Sequence, residues 1–322
     1  MTKGYFVISL DYELFWGLSG WTDDLLSSYK DNVIHANEAL KQIVELLEKY
    51  NLKATIAFVG AMNNNSYEGY AAENGNFIPK YEDGFFAATH SVIPYVQKIN
   101  AVHLLFAQQM INWMKEQKHI ELASHTYSHF YCLEKGQTSD DFDHDLRLIT
   151  ENAKKANLKL DSIIFPRNQV QKEYLKACCN AGFTHYRGTL DSYLYRTDKT
   201  RARFTIKGAL RFLDTYVNVS GHHDYPINVC KEDFLVNVAG SCFLRPYSKT
   251  LSFLEPLKIN RIKSSMKHAA KNGLIYHIWW HPHNFGANMK ENLCNLEQLC
   301  KYYVHLRQEY EYQSSFIKDI NL

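Results

Sequence analysis

Short apolar runs rich in β-branched residues recur along this chain. Each ends in polar or charged residues, and helical patterns separate them. The runs are Tyr5 to Leu10 (YFVISL), Ala54 to Val59 (ATIAFV), His119 to Ala123, Ser162 to Phe165, Phe183 to Tyr186 and Leu274 to Trp280. A run of this length and composition reads as a buried strand. Between the first two, Asp31 opens a helical pattern with Val33, Ala36, Leu40, Ile43, Val44 and Leu47 on one face, ending near Asn51. Residues 100–117, 139–156, 170–181 (closed by Gly182), 255–272 (ending at Gly273) and 289–309 are likewise expected to be helices. Strands that alternate with helices imply a parallel sheet, and this many units favours one barrel, closed or nearly closed, over two domains.

The whole chain, 1–322, is thus expected to be a single α/β unit. Residues 60–97 break its rhythm with Asn63, Asn64, Asn65, Gly69, Gly75, Pro79, Gly84 and Pro94. They read as an irregular insertion of the kind that forms lids or substrate-binding segments. Farther on, Tyr216 to Ser220 is expected as a strand and 231–239 as a short helix.

Charge excludes one class of function. The 36 basic and 34 acidic residues leave a net charge of +2 without a long single-sign run, so no nucleic-acid footprint is present. No stretch approaches the ~20 apolar residues of a membrane span. The seven cysteines form no CxxC and no even framework, and MTKGYFVISLDYE lacks a signal-type apolar region. A reducing, cytoplasmic setting is the expectation.

In a (β/α) barrel, reactive groups lie just past the C-terminal ends of the strands. Those positions hold Asp11 and Glu13, His125 and His129, Arg167, Arg187, and His281 with His283. The two histidines of Ser124–His129 (SHTYSH) are four apart, a spacing that puts both imidazoles on one side of a helical turn, where they can share a cation. Two nitrogens on zinc call for a carboxylate, which Asp11 or Glu13 can supply. An HxxxH spacing alone is a weak signal.

Taken in order, DYE at 11–13, KATIAFVG at 53–60, SHTYSH at 124–129, FPRN at 165–168 and WWH at 279–281 resemble the motifs of the polysaccharide deacetylase family, also called carbohydrate esterase family 4. The resemblance spans residues 5 to about 285. It implies a distorted (β/α) barrel, incomplete or closed, that hydrolyses N-acetyl or O-acetyl groups on sugars with one divalent metal, most often zinc. By position, Asp11 falls on the catalytic base, His125 and His129 on metal ligands, Arg167 on the arginine that pairs with the base, and His281 on the general acid. The second acid of the family's opening pair falls on Tyr12, a departure that leaves open whether Glu13 or Asp11 is the carboxylate ligand. Arg167 follows Pro166, where the family usually has its arginine before the proline. Asn168 marks a backbone amide for the oxyanion, His283 is a rival to His281, and Trp279, Trp280 and Phe285 are candidates for the sugar-facing wall.

The implied partner is a carbohydrate. A cytoplasmic setting favours an intermediate of glycan assembly over a finished polymer. Two alternatives stand beside the deacetylase: a metal-independent, allantoinase-like hydrolase of cyclic amides on the same fold, and an inactive barrel that binds glycan.

Overall fold

A computed structural model describes residues 3–189, 192, 194–195, 206–231 and 234–321. Its centre is a wholly parallel sheet. The strands are β1 (Gly4–Tyr12), β2 (Ala54–Phe58), β3 (Ile120–Ser124), β4 (Ser162–Ile164), β5 (His185–Arg187), β6 (Val236–Asn237), β7 (Cys242–Phe243), β8 (Ile275–Trp280) and β9 (Tyr312–Ser315). They run in the order β6-β5-β4-β3-β2-β1-β8-β7. β9 pairs with the first half of β1, Gly4↔Tyr312 to Val7↔Ser315, while β2 pairs with its second half, Ser9↔Thr55 to Tyr12↔Phe58.

The sheet curls until its two edges are joined by a single segment. Residues 236–240 pair with β5, through Val238 N–H to the Tyr186 carbonyl and Gly240 N–H to that of Gly188. The next four residues switch sides and pair with β8, through Ser241 N–H to the His277 carbonyl and Leu244 N–H to that of Trp279. The result is a distorted (β/α) barrel in which two strands of two residues fill one stave.

Alternation along each strand divides the core in two. Val7, Ala57, Ala123, Ile164, Val238 and Ile275 point inward, and Ile317 and Ile320 fill the floor beneath them. Phe6, Ile8, Leu10, Tyr12, Tyr276, Ile278 and Trp280 point outward. There they meet the helices α2 (Ala36–Lys49), α9 (Glu255–Asn272) and α10 (Met289–Glu309) through Leu40, Ile43, Val44, Ile262, Met266, Leu296 and Leu306. Burying each such side chain stabilises the fold by about 1.5–3 kcal/mol.

Several elements differ from expectation. The helical stretch after the first strand begins earlier, as α1 (Asp23–Ile34), and breaks at His35 before α2. Within 60–97, two short helices, α3 (Tyr67–Asn74) and α4 (Val92–Lys98), and three 3-10 turns bury Tyr70, Tyr81, Phe86 and Val96 as core, while Phe85 stays exposed. Residues 100–117 hold a 3-10 turn, Val102–Leu105, and a separate helix, α5 (Gln108–Lys115). The remaining helices are α6 (Ser139–Lys155), α7 (Lys172–Asn180) and α8 (Ile206–Asp214). Tyr216 to Ser220 is a turn after α8, stitched by Asp214, which accepts from the amides of Val219 and Ser220. In 231–239 the described residues form β6 where a helix was expected; Glu232 and Asp233 lie outside the described residues. Two-residue strands carry too little pattern to be read.

Among the described residues, no helix is long and apolar enough to cross a membrane, and all seven cysteines are free.

Candidate active site

The upper end of β1 sets the site. Val7, Ser9, Asp11 and Glu13 share the inward face, whereas Tyr12 points outward and its hydroxyl donates to Asn37 Oδ1 at 2.5 Å. Strand parity therefore removes Tyr12 from the site and puts Glu13 into it. Leu14 turns the chain with φ 44, and the Glu13 side chain folds back over Gly17, where a Cβ would lie 2.0 Å from Glu13 Oε1. Only glycine leaves that space.

The histidine loop follows β3. It is not a helical turn: Thr126 and His129 are left-handed, with φ 62 and φ 60. Hydrogen bonds pay for that strain. Ser124 Oγ accepts from Thr126 N–H, Thr126 Oγ1 accepts from Phe130 N–H, and Asp145 of α6 accepts from the amides of Tyr127 (2.7 Å) and Ser128 (2.9 Å) and from the Ser128 hydroxyl. Burial raises the Asp145 carboxyl to about 6. On the far side the loop carbonyls of Thr126 and Tyr127 accept from Gly60 and Ala61 N–H. Gly60 fits because a Cβ there would sit 2.5 Å from Ile149.

These constraints bring the two imidazoles onto one carboxylate oxygen. Glu13 Oε2 lies 3.2 Å from His125 Nε2 and 3.0 Å from His129 Nε2, with all three side chains buried. His125 Nδ1 lies 2.8 Å from the Ile164 carbonyl, which can only accept, so Nδ1 carries the proton. In the neutral ring Nε2 is then a bare lone pair facing a carboxylate. Two acceptors in contact require a proton or a cation between them. His129 Nδ1 has no hydrogen-bond partner, and burial lowers that imidazole to about 4, which keeps it neutral and able to ligate. Burial opposes the charge on Glu13, but the imidazoles around it, His281 first and then His125 and His129, hold it well below the usual carboxylate range. Two imidazole nitrogens and a carboxylate, with one backbone carbonyl orienting a ligand ring, form a donor set that fits a divalent cation and leaves a position open.

Beside this group, Asp11 is gripped by Arg187 of β5 in a bidentate pair, Nη1 to Oδ1 and Nη2 to Oδ2, both 2.7 Å. Arg187 is fully buried, and all five of its N–H groups are used: Ser9 Oγ takes one and Asn168 Oδ1 takes two. Its guanidinium also lies 4.4 Å from the Trp279 ring. Ser9 in turn donates to His277 Nε2 at 2.7 Å, because His277 Nδ1 is engaged by the Val238 carbonyl at 3.0 Å. Burial would raise Asp11, yet Arg187, then His125 and His281, lower it, so Asp11 is ionised.

His281, past β8, completes the cluster. Its Nε2 is 3.7 Å from Asp11 Oδ2 and 3.5 Å from Glu13 Oε1, and its Nδ1 lies 3.1 Å from Asn284 Oδ1. Asn284 donates to Tyr29, which fixes its oxygen toward the ring. Trp279 and Phe243, with centroids 4.8 Å apart, wall this side.

The expected roles of five residues are corrected. Arg167 does not reach Asp11: it sits at φ 54 after Pro166 and its guanidinium lies over Tyr131 at 4.2 Å, donating to the Ser19 carbonyl. Arg187 holds the place expected of Arg167, because its inward strand position aims at Asp11 and a turn residue's does not. Asn168 N–H is spent on the Phe165 carbonyl, so it offers no oxyanion donor; its side chain positions Arg187. Trp280 alternates outward and stacks on Phe285 in the helix-facing core, which takes both from the sugar wall. His283, the rival to His281, is buried against Tyr29 and stacked on His281 at 5.0 Å, its Nε2 4.0 Å from Glu13 Oε1, while His281 holds the position near both acids.

Sequence reasoning placed Arg187 on the rim without giving it a partner, and it missed Asp145. The signal for Asp145 was present: with Phe142, Leu146 and Ile149 it falls on the buried stripe of α6, where an acid needs local donors.

A polysaccharide deacetylase family model matches residues 23–186 of the 322. No curated protein matches the sequence. Among solved structures, a protein from Mycobacterium smegmatis described as a polysaccharide deacetylase is similar with a TM-score of 0.60 at 12% identity, over 99% of this chain and 90% of the other. A second so described, from Pseudomonas aeruginosa PAO1, gives 0.51 at 12% identity, over 98% and 89%. The 4-alpha-glucanotransferase from Thermococcus litoralis shares the fold with a TM-score of 0.50 at 12% identity, over 99% of this chain but 40% of its own. The chain belongs to the polysaccharide deacetylase family, hydrolases that act on amide bonds of carbohydrates.

Proposed function

We propose that this protein is a cation-dependent deacetylase that releases acetate from an N-acetylated sugar within a glycan intermediate. The observation that carries this reading is the contact of Glu13 Oε2 with the Nε2 atoms of both His125 and His129, one of whose lone pairs is fixed toward that oxygen by the Ile164 carbonyl. Zinc suits two imidazoles and one carboxylate. A divalent cation held there supplies Lewis-acid activation of water and of the acyl carbonyl.

The remaining work falls to the chain's own side chains. Asp11, kept ionised by Arg187, takes the proton of the attacking water. His281, across a 3.7 Å gap from Asp11, delivers a proton to the departing amine nitrogen as the C–N bond breaks. Trp279 and Phe243 offer an aromatic face for the sugar. Arg187 holds Asp11 in place from behind and touches no substrate.

Zinc-loaded protein assayed for acetate release on a panel of N-acetylated and O-acetylated sugars tests the reading. Asp11→Asn should cost about 10²–10⁴-fold, and Glu13→Gln should lose both zinc and turnover. Undiminished acetate release from zinc-free protein, or from Asp11→Asn, would sink it.

A further inference from the structure

Glu13 has a second oxygen, and it faces a second pair of imidazoles. Oε1 lies 3.5 Å from His281 Nε2 and 4.0 Å from His283 Nε2, a looser group than that on Oε2 but one whose three donor atoms all lie within 4.8 Å of one another. Ligands about 2.0–2.2 Å from a tetrahedral cation stand about 3.4 Å from each other, so these separations leave room for an ion between them. The rings are prepared for it. His281 and His283 stack at 5.0 Å with an interplanar angle of 17°, and both Nε2 atoms come within 4.0 Å of Glu13 Oε1. The His281 ring is held from behind by Asn284 at Nδ1, the kind of contact that orients a metal-bound imidazole. His283 is buried, and its backbone is fixed by Asn32 Nδ2 donating to its carbonyl at 3.0 Å.

We propose that Glu13 bridges two cation sites, and that the second, formed by Glu13 Oε1, His281 and His283, is a weaker inhibitory site for a divalent metal such as zinc. This rests on the reading of Glu13, His125 and His129 as ligands of a first cation. The second site is the weaker because its carboxylate charge is shared with the first ion and because His281 is partly exposed. Asp11 Oδ2, 3.7 Å from His281 Nε2, supplies a further nearby negative charge. The site inhibits for a simple reason: His281 Nε2 cannot hold a cation and also deliver a proton to the leaving amine.

The test is metal binding to chelator-stripped protein. Zinc is titrated with bound metal counted after separation from free ion, and cobalt(II) is followed in parallel by its visible absorption. Wild type should take up one equivalent and then, at higher free zinc, a second. His283→Gln and His281→Ala should each lose the second equivalent and keep the first, with circular dichroism checking the fold of both. Acetate release by the wild type should fall as the second equivalent binds, and over the same zinc range His283→Gln should show no such fall. Saturation of the wild type at one equivalent overturns the second site and leaves the deacetylase reading standing. Retention of two equivalents by both variants overturns it as well, and absence of any bound zinc overturns both.

Discussion

Arg187 is the residue on which most of the site's electrostatics turn. It is a buried cation with every donor engaged, and the charge it neutralises, Asp11, is also buried. Removing one partner of such a pair strands the other and typically costs about 3–5 kcal/mol. Arg187→Met should therefore lower the unfolding free energy by about that amount and cost activity as Asp11 loses its fixed position. Arg167→Ala should leave kcat within a few-fold, since its guanidinium lies over Tyr131 and donates to Ser19. Denaturant unfolding and initial rates on the two variants check this; equal effects would contradict the assignment. The contrast also shows what the sequence could disclose at this scale. Asp11, His125, His129 and His281 could be picked out as candidates because strand ends and motif order both pointed to them, whereas Glu13 stood only on its strand end, since the motif order fell on Tyr12 and left the carboxylate ligand open between Glu13 and Asp11. The choice between Arg167 and Arg187 was not, because it depends on side-chain direction: one arginine follows a proline in a left-handed turn and the other continues an inward strand face.

At the scale of elements, the histidine loop and α6 work as one unit. Thr138 and Asp141 cap the helix reciprocally, which sets its start, and one turn later Asp145 gathers two loop amides and a hydroxyl. Asp145→Asn replaces one acceptor oxygen by a donor that faces N–H groups. Zinc affinity should fall by about 10–100-fold, as for other residues that orient ligands without touching the metal. Calorimetric titration of zinc into stripped protein measures it, with the melting temperature recorded alongside. The long strands and α9 and α10 were readable because each repeats its pattern over many residues. The site's partner acid was not singled out, because its evidence is one polar position in an apolar stripe. β6 and β7 were unreadable for want of length, and α1 because its apolar face is slight: it buries only Leu26 and Val33.

Among the described residues, burial lowers three histidines furthest: His129 to about 4, and His277 and His283 to about 3. Each ordinarily titrates near 6.5, so the folded values lie below the unfolded ones. The unfolded chain therefore binds more protons between these limits. The stability these groups contribute is complete above pH 6.5 and is lost as pH falls toward 3. His277→Asn should make unfolding free energy less steep in pH across that window, by up to one proton, or about 1.4 kcal/mol per pH unit. Denaturant titrations at several pH values check it, and an unchanged slope would mean that His277 titrates normally in the fold. The barrel architecture was legible from the alternation of strands and helices; its closure was not, because that depends on a segment changing partners midway. The segment from Val236 to Leu244 is the one place where the ring is held by two short grips in place of a full strand, and the aromatic Phe243 rides on it beside Trp279 and His281. A ring joined in this way behaves as a clasp. A sugar analogue resting on Phe243 would fasten it, slowing hydrogen exchange at the amides of Val238, Gly240, Ser241 and Leu244 by up to about 100-fold at about 100 times its Kd, if opening requires release. Substrate occupancy would then be registered in the mechanical integrity of the barrel itself.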